Sequence, residues 1–139
     1  MDAVDVSSGV CTSVSLSSGD YVFCDECLSW TDAATACSDR GLSLVTIDSS
    51  TENEVLRTTA STYMSDTCGS SSSFMVHIGL HKSSGVTQWH SGSSVGYTNI
   101  QDSDDGPNAS WRMYVSGGTG SSGRWYDNSK SAEFVYVCD

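Results

Sequence analysis

Apolar positions change their spacing along the chain. Trp30, Ala33, Ala34 and Cys37 recur at i, i+3, i+4 and i+7, one face of a helix, behind a Ser or Thr cap and ahead of Gly41. Leu42, Leu44, Val45 and Ile47 make a short apolar segment, and Thr51-Glu52-Asn53-Glu54 then has the form of a capping box. It predicts a second helix through Val55 and Leu56 to about Tyr63. Tyr21-Val22-Phe23 reads as a strand. In the second half, 74–80, 87–89, 111–115, 124–126 and 134–138 are short, aromatic or β-branched, and bounded by Gly and Ser, which predicts further strands. Residues 1–19, mostly Ser, Asp, Val and Gly, read as an N-terminal arm holding one strand, and residues 20–139 as one domain. The serines 70–73 form a polar loop between the halves. Two helices followed by an antiparallel sheet make the expected class α+β.

Composition tests that reading. Leu, Ile, Val and Phe number 25 of 139 and the formal charge is −11, a balance close to that of disordered chains. Six Cys, six Tyr and four Trp oppose disorder, because large rings and disulfides hold a thin core together. The acidity removes the attraction that drives binding to nucleic acid or anionic membrane, so neither is expected as a partner. No apolar run approaches the roughly 18 residues of a membrane span. Met1-Asp2-Ala3-Val4-Asp5 is acidic where a signal peptide is basic and then apolar, so a mature secreted chain is expected, with Met1 an expression start.

The even cysteine count suits an oxidising compartment, and Cys24-x-x-Cys27 lacks the second pair of a zinc site. His77 and His81 flank Gly79 in a strand-like segment without a carboxylate motif; with His90 they read as surface or core imidazoles rather than zinc ligands. Arg112 and Arg124 read as surface or ion-pair groups. No nucleophile elbow, metalloprotease helix or catalytic carboxylate pair is present, and no enzyme is expected. Asn108-Ala109-Ser110 is the single N-glycosylation sequon, and a glycan there would block Asn108 as a ligand.

The order Leu28-Ser29-Trp30-Thr31-Asp32-Ala33, Cys37, Leu44-Val45-Thr46-Ile47-Asp48-Ser49, Glu52-Asn53-Glu54 and Ile78-Gly79-Leu80 resembles the C-type lectin-like domain. So do Trp89, Tyr97-Thr98-Asn99, Gly106-Pro107-Asn108, Gly123-Arg124-Trp125-Tyr126-Asp127 and the terminal Tyr136-Val137-Cys138. The resemblance implies a disulfide-stapled fold with a long irregular loop region and a bond from Cys37 to Cys138. The family's second disulfide lacks both cysteines here. Cys11, Cys24, Cys27 and Cys68 are left with three complete intrachain pairings, or with a bridge between subunits.

In sugar-binding members, calcium lies between a Pro-containing loop and a Trp-Asn-Asp strand, and sugar hydroxyls complete its oxygen shell. Carried over, Asn108 and Asp127 would be weak sugar-site calcium ligands, unless Asp102, Asp104 or Asp105 moves in. Sugar contact is expected from Asp104, Asp105, Pro107, Asn108, Tyr126 and Asp127. Tyr126 and the acids are suited to direct recognition, since rings stack on sugar faces and carboxylates hydrogen-bond hydroxyls. The family also implies a structural calcium, for which Thr46, Asp48, Glu52 and Asp139 have the spacing. The alternative reading of these acids is complementation of a helix N-terminus.

The function implied is a secreted lectin recognising terminal sugars of glycans. The alternative is an interaction module that keeps the fold and binds protein or another surface. A homodimer is expected, with Cys68 able to supply a disulfide link, because paired weak sites gain through effective concentration.

Overall fold

The computed structural model describes residues 11–65, 68, 73–102, 106–117 and 122–139, the side chains of 73, 102 and 117 aside. Its elements run β1 (Cys11–Leu16), β2 (Gly19–Ser29), α1 (Trp30–Asp39), α2 (Ser50–Tyr63), β3 (Ser73–Ser83), β4 (Val86–Trp89), β5 (Ile100–Asp102), β6 (Ala109–Gly117), β7 (Trp125–Ser129) and β8 (Glu133–Cys138).

Helix α1 buries Trp30, Ala33, Ala34 and Cys37, the face its spacing predicts. Ser29 caps it by accepting the Asp32 N–H at 3.1 Å. Helix α2 starts earlier than the sequence suggests. Its cap is Ser49, whose Oγ accepts the Glu52 N–H at 3.1 Å, while the Glu52 carboxylate turns back to the Asp48 N–H at 2.8 Å. The reciprocal pair is therefore Ser49 with Glu52, and Thr51 lies exposed in the first turn.

Among the described residues the strands form one eight-stranded sheet in the order β1-β2-β8-β3-β6-β7-β5, with β4 on β3. The expected antiparallel pattern becomes mixed, because β3–β8 and β5–β7 pair in parallel. The last strand inserts between β2 and β3, so the chain's end is held in the centre of the sheet rather than at an edge. Trp89, Trp111, Trp125, Tyr136 and Phe23 are among the largest fully buried side chains. Large rings supply the area that the few aliphatics cannot.

Cys37 on α1 bonds to Cys138 on β8 across 101 residues of sequence, a loop for which chain entropy gives about 4.7 kcal/mol. The two cysteines of Cys24-x-x-Cys27 go separate ways. Cys24 bonds to Cys11, its partner in the β1–β2 register, and Cys27, at the bulge between Cys24 and Leu28, bonds to Cys68. All six cysteines are thus paired within the chain, which corrects the expectation of a disulfide-linked dimer: Cys68 has no thiol to offer a second subunit.

Candidate functional site

Trp125 organises the loop-bearing side of the sheet. It is fully buried, meets the rings of Trp89 and Tyr97 edge-on at 5.7 Å, and donates its indole N–H to the Asn53 side-chain oxygen at 2.8 Å. The Asn53 and Asn99 amides both donate to the Gly123 carbonyl, at 2.9 and 2.7 Å. The Trp125 N–H donates to Asn99 O at 2.9 Å, and Arg124 reaches Ile100 O at 3.2 Å. These bonds draw Ile100–Asp102 out of the long loop and pair it with β7 in the register Ile100↔Trp125 and Asp102↔Tyr126.

β5 ends the sheet order, so this edge presents an exposed Gln101 beside half-buried Asn99, Arg124 and Tyr126. Among the described residues, the Arg124 Nε is a buried donor without a hydrogen-bond partner. The arrangement presents the exposed Gln101 carboxamide to a hydroxyl-rich ligand, with the half-buried Tyr126 ring close by and Asn99 and Arg124 holding the strand in place. Sequence reasoning missed Asn99 and Gln101. Three residues are too few for an alternation signal, and only the register with β7 reveals the strand.

The expected sugar residues separate. Asp104 and Asp105 lie outside the described residues, and of Asp102 only the backbone is described. Pro107 and Asn108 are exposed at the β3–β4 turn, where Pro107 O accepts the Gly85 N–H at 3.0 Å and Asn108 Oδ1 the Ser84 N–H at 3.3 Å. Asp127 is buried and stands opposite Trp111, whereas Ala109 stands opposite Ser129. Asn108 is therefore three positions along β6 from the level of Asp127, about 10 Å at 3.3 Å per residue. Asn108 also spends its Oδ1 on the Ser84 N–H, so a calcium shared by Asn108 and Asp127 would have to displace that bond across this offset. Tyr126 and Asp127 also face opposite sides of the sheet, Tyr126 meeting the ring of Tyr114 edge-on at 5.2 Å.

Thr46, Asp48, Glu52 and Asp139 do come to one corner, where the chain's end meets the start of α2. Three of the four side chains carry hydrogen bonds, and Asp48 is exposed. Glu52 accepts the Tyr21 hydroxyl at 2.5 Å on one oxygen and the Asp48 N–H on the other; Thr46 shares its hydroxyl with Ser91 at 2.7 Å. Asp139 accepts the Thr46 N–H at 3.3 Å. Burial raises the Asp139 carboxyl to about 6, and the charges of Glu52 and Asp48 add to this against the Thr46 bond. Burial and the same Glu52 bond raise the Tyr21 phenol. Among the described residues no three His, Cys, Asp or Glu side chains are grouped to hold a metal. Calcium needs 6 to 8 converging oxygens, and the hydrogen bonds of Glu52, Thr46 and Asp139 would have to be shared or released to hold it.

The histidines divide as core and half-buried groups. His77 is buried and donates from Nε2 to Leu28 O at 2.8 Å, with burial lowering it to about 4. His81 stacks on Trp30 and accepts from the Lys130 ammonium on Nδ1, while His90 Nδ1 accepts the Leu44 N–H. Arg112 and Arg124 are half-buried carbonyl donors rather than free surface charges, Arg112 to Tyr126 O at 3.3 Å. Among the described residues no helix is long and apolar enough to cross a membrane.

The same architecture occurs in known proteins. CEL-IV superposes with a TM-score of 0.76 at 23% identity, over 91% of this chain and 89% of that one. The carbohydrate-recognition domain of the mouse scavenger receptor C-type lectin gives 0.69 at 22% identity, over 91% of each chain. SPL-1 in its complex with GlcNAc gives 0.68 at 20%, over 86% of this chain and 85% of that one. No curated protein sequence matches significantly. The model of the lectin C-type domain matches residues 26–139, and the chain belongs to the C-type lectin domain family.

Proposed function

We propose that this chain is a secreted lectin that binds terminal sugars of glycans along the β5–β7 edge, by direct hydrogen bonds and ring contact. The carrying observation is the parallel pairing Ile100↔Trp125 and Asp102↔Tyr126, which lays Asn99, Gln101, Arg124 and Tyr126 along one edge. SPL-1, a relative in fold, is in complex with GlcNAc, which supports a sugar as the ligand class. The hydrogen bond that Asn108 Oδ1 accepts from Ser84 takes up a ligand the resemblance implied, which supports recognition that does not pass through calcium.

Three disulfides support an extracellular setting. A homodimer remains part of the proposal, held by noncovalent contact, since two weak sites gain roughly 10² to 10⁴ in avidity when linked. The second reading is a module that binds protein or another surface. The commitment of Asn108 to the β3–β4 turn favours it, by removing one ligand the resemblance implied.

A glycan array probed with the full chain in chelator tests the proposal. Binding that survives chelator and falls about tenfold in Gln101→Ala and Tyr126→Ala, roughly the loss of one hydrogen bond or ring contact, supports it. Binding abolished by chelator overturns the direct mode, and binding to no glycan favours the second reading.

A further inference from the structure

We infer that Asn108 is an N-glycosylation acceptor, modified before β6 joins the sheet; this rests on the proposed secretion but not on the proposed sugar site. The sequon Asn108-Ala109-Ser110 straddles a boundary in exposure. Asn108 is exposed in the turn before β6, whereas Ala109 is 1% and Ser110 3% exposed. Asn108 Oδ1 accepts the Ser84 N–H at 3.3 Å, a bond made by the oxygen and not the nitrogen, so a glycan on Nδ2 of this exposed residue is compatible with the folded turn. No side chain of the proposed β5–β7 edge is required for this, so the glycan and a bound sugar are compatible.

The chemistry uses a polyprenyl-diphosphate-linked oligosaccharide as donor. A bond forms between Asn108 Nδ2 and the anomeric carbon, the bond from that carbon to the diphosphate oxygen breaks, polyprenyl diphosphate leaves, and Nδ2 gives up one proton. The acceptor must present the hydroxyl two residues on, which is why the sequon has Ser or Thr there. In the folded chain that hydroxyl belongs to Ser110, which is buried with its backbone opposite His81 of β3 and Asn128 of β7. The native fold hides half of the acceptor. Transfer therefore belongs to the nascent chain, before β7 has paired, and the finished glycan projects from the β3–β4 end of the sheet.

The test is the mass of the full chain, led by a signal peptide, as secreted from eukaryotic cells. A mass above that of the polypeptide, removed by peptide-N-glycosidase and absent in Asn108→Gln, is expected; a bare polypeptide mass overturns the inference. Asn108 is exposed, so its variant reports glycosylation without a demand on the core. Timing is tested with purified, folded, unglycosylated chain given oligosaccharyltransferase and lipid-linked donor. The reduced, unfolded chain should be modified and the folded chain at least tenfold less; equal modification overturns the ordering. Glycan-array binding is scored separately, so a chain that is glycosylated yet binds no sugar fails only the proposed function.

Discussion

Trp125 and Asn53 join the loop-bearing edge to helix α2 through a buried hydrogen bond of 2.8 Å from the indole N–H to the side-chain oxygen. The same carboxamide donates to the Gly123 carbonyl at 2.9 Å, so one residue on α2 satisfies both a side chain of β7 and the turn that precedes it. Asn53→Ala leaves a buried N–H unmatched and weakens the hold on Gly123. The expected loss is about 3 kcal/mol, set by the desolvation cost of unsatisfied buried groups. Denaturant unfolding checks it, and a loss under about 0.5 kcal/mol, less than one ordinary hydrogen bond, contradicts the role.

Gly79 admits no side chain. Its amide donates to Val45 O at 2.8 Å, its carbonyl accepts from His90 at 2.8 Å, and a Cβ added there would lie 2.6 Å from Leu44 O and 2.9 Å from Val45 O. Both obstacles are backbone, so neither yields by changing rotamer. Gly79→Ala is expected to cost at least about 3 kcal/mol or to prevent folding, the upper range for overpacking. A variant with native melting temperature would place the 44–45 segment elsewhere.

The burial of His81, whose ring lies on Trp30 with centroids 4.4 Å apart, makes stability depend on pH. Burial first, then the charges of Lys130 and His90, lower His81 from 6.5 to about 4. Trp30 of α1, Lys130 of the β7–β8 turn and His90 after β4 are the groups around it. Between pH 6.5 and 4 the unfolded chain binds a proton on His81 that the folded chain refuses, so its contribution, complete above 6.5, is lost as pH falls through that window. His77, also lowered to about 4, acts in the same direction. Asp139, raised from 3.8 to about 6, opposes them by binding its proton first in the folded chain. His81→Gln should therefore lose less melting temperature than the parent on acidification across the window. Parallel profiles would refute the assignment to His81.

Calcium should leave the melting temperature unchanged. An ion that binds only the folded chain raises stability by mass action, but the oxygens of Thr46, Glu52 and Asp139 already serve Ser91, Tyr21, Asp48 and Thr46. Thermal unfolding in excess calcium and in chelator is expected to coincide. A rise of several degrees would mean that this corner opens to receive the ion.

Local patterns made most elements legible. The i, i+3, i+4, i+7 face of α1, the strand segments around Ile78 and Met113, and the short apolar segment 42–47 all stand where spacing places them. The cap of α2 was displaced because Ser49-x-x-Glu52 and Thr51-x-x-Glu54 compete for one helix start, and the Glu52 bond to Asp48 N–H decides between them. The site was less legible. Asn108 and Asp127 stand in motifs whose order matches the family, yet sequence order carries no information about β6–β7 register, which offsets them by three positions, about 10 Å along the strand. β5 depends on Trp125 and Asn99 meeting across the loop, a contact between residues distant in sequence that no local window contains. The pairing of Cys24 and Cys27 with different partners likewise follows from the β1–β2 hairpin and the bulge in β2.

The most direct measurement of the central claim is an amide chemical-shift titration of the full chain with N-acetylglucosamine and other monosaccharides in the presence of chelator. Saturable shifts at Asn99, Gln101, Arg124 and Tyr126, with Ser84, Gly85 and Asn108 unmoved, are the predicted result. Shifts that arise only when calcium is restored, or that centre on Asn108 and the β3–β4 turn, would contradict direct recognition at the β5–β7 edge.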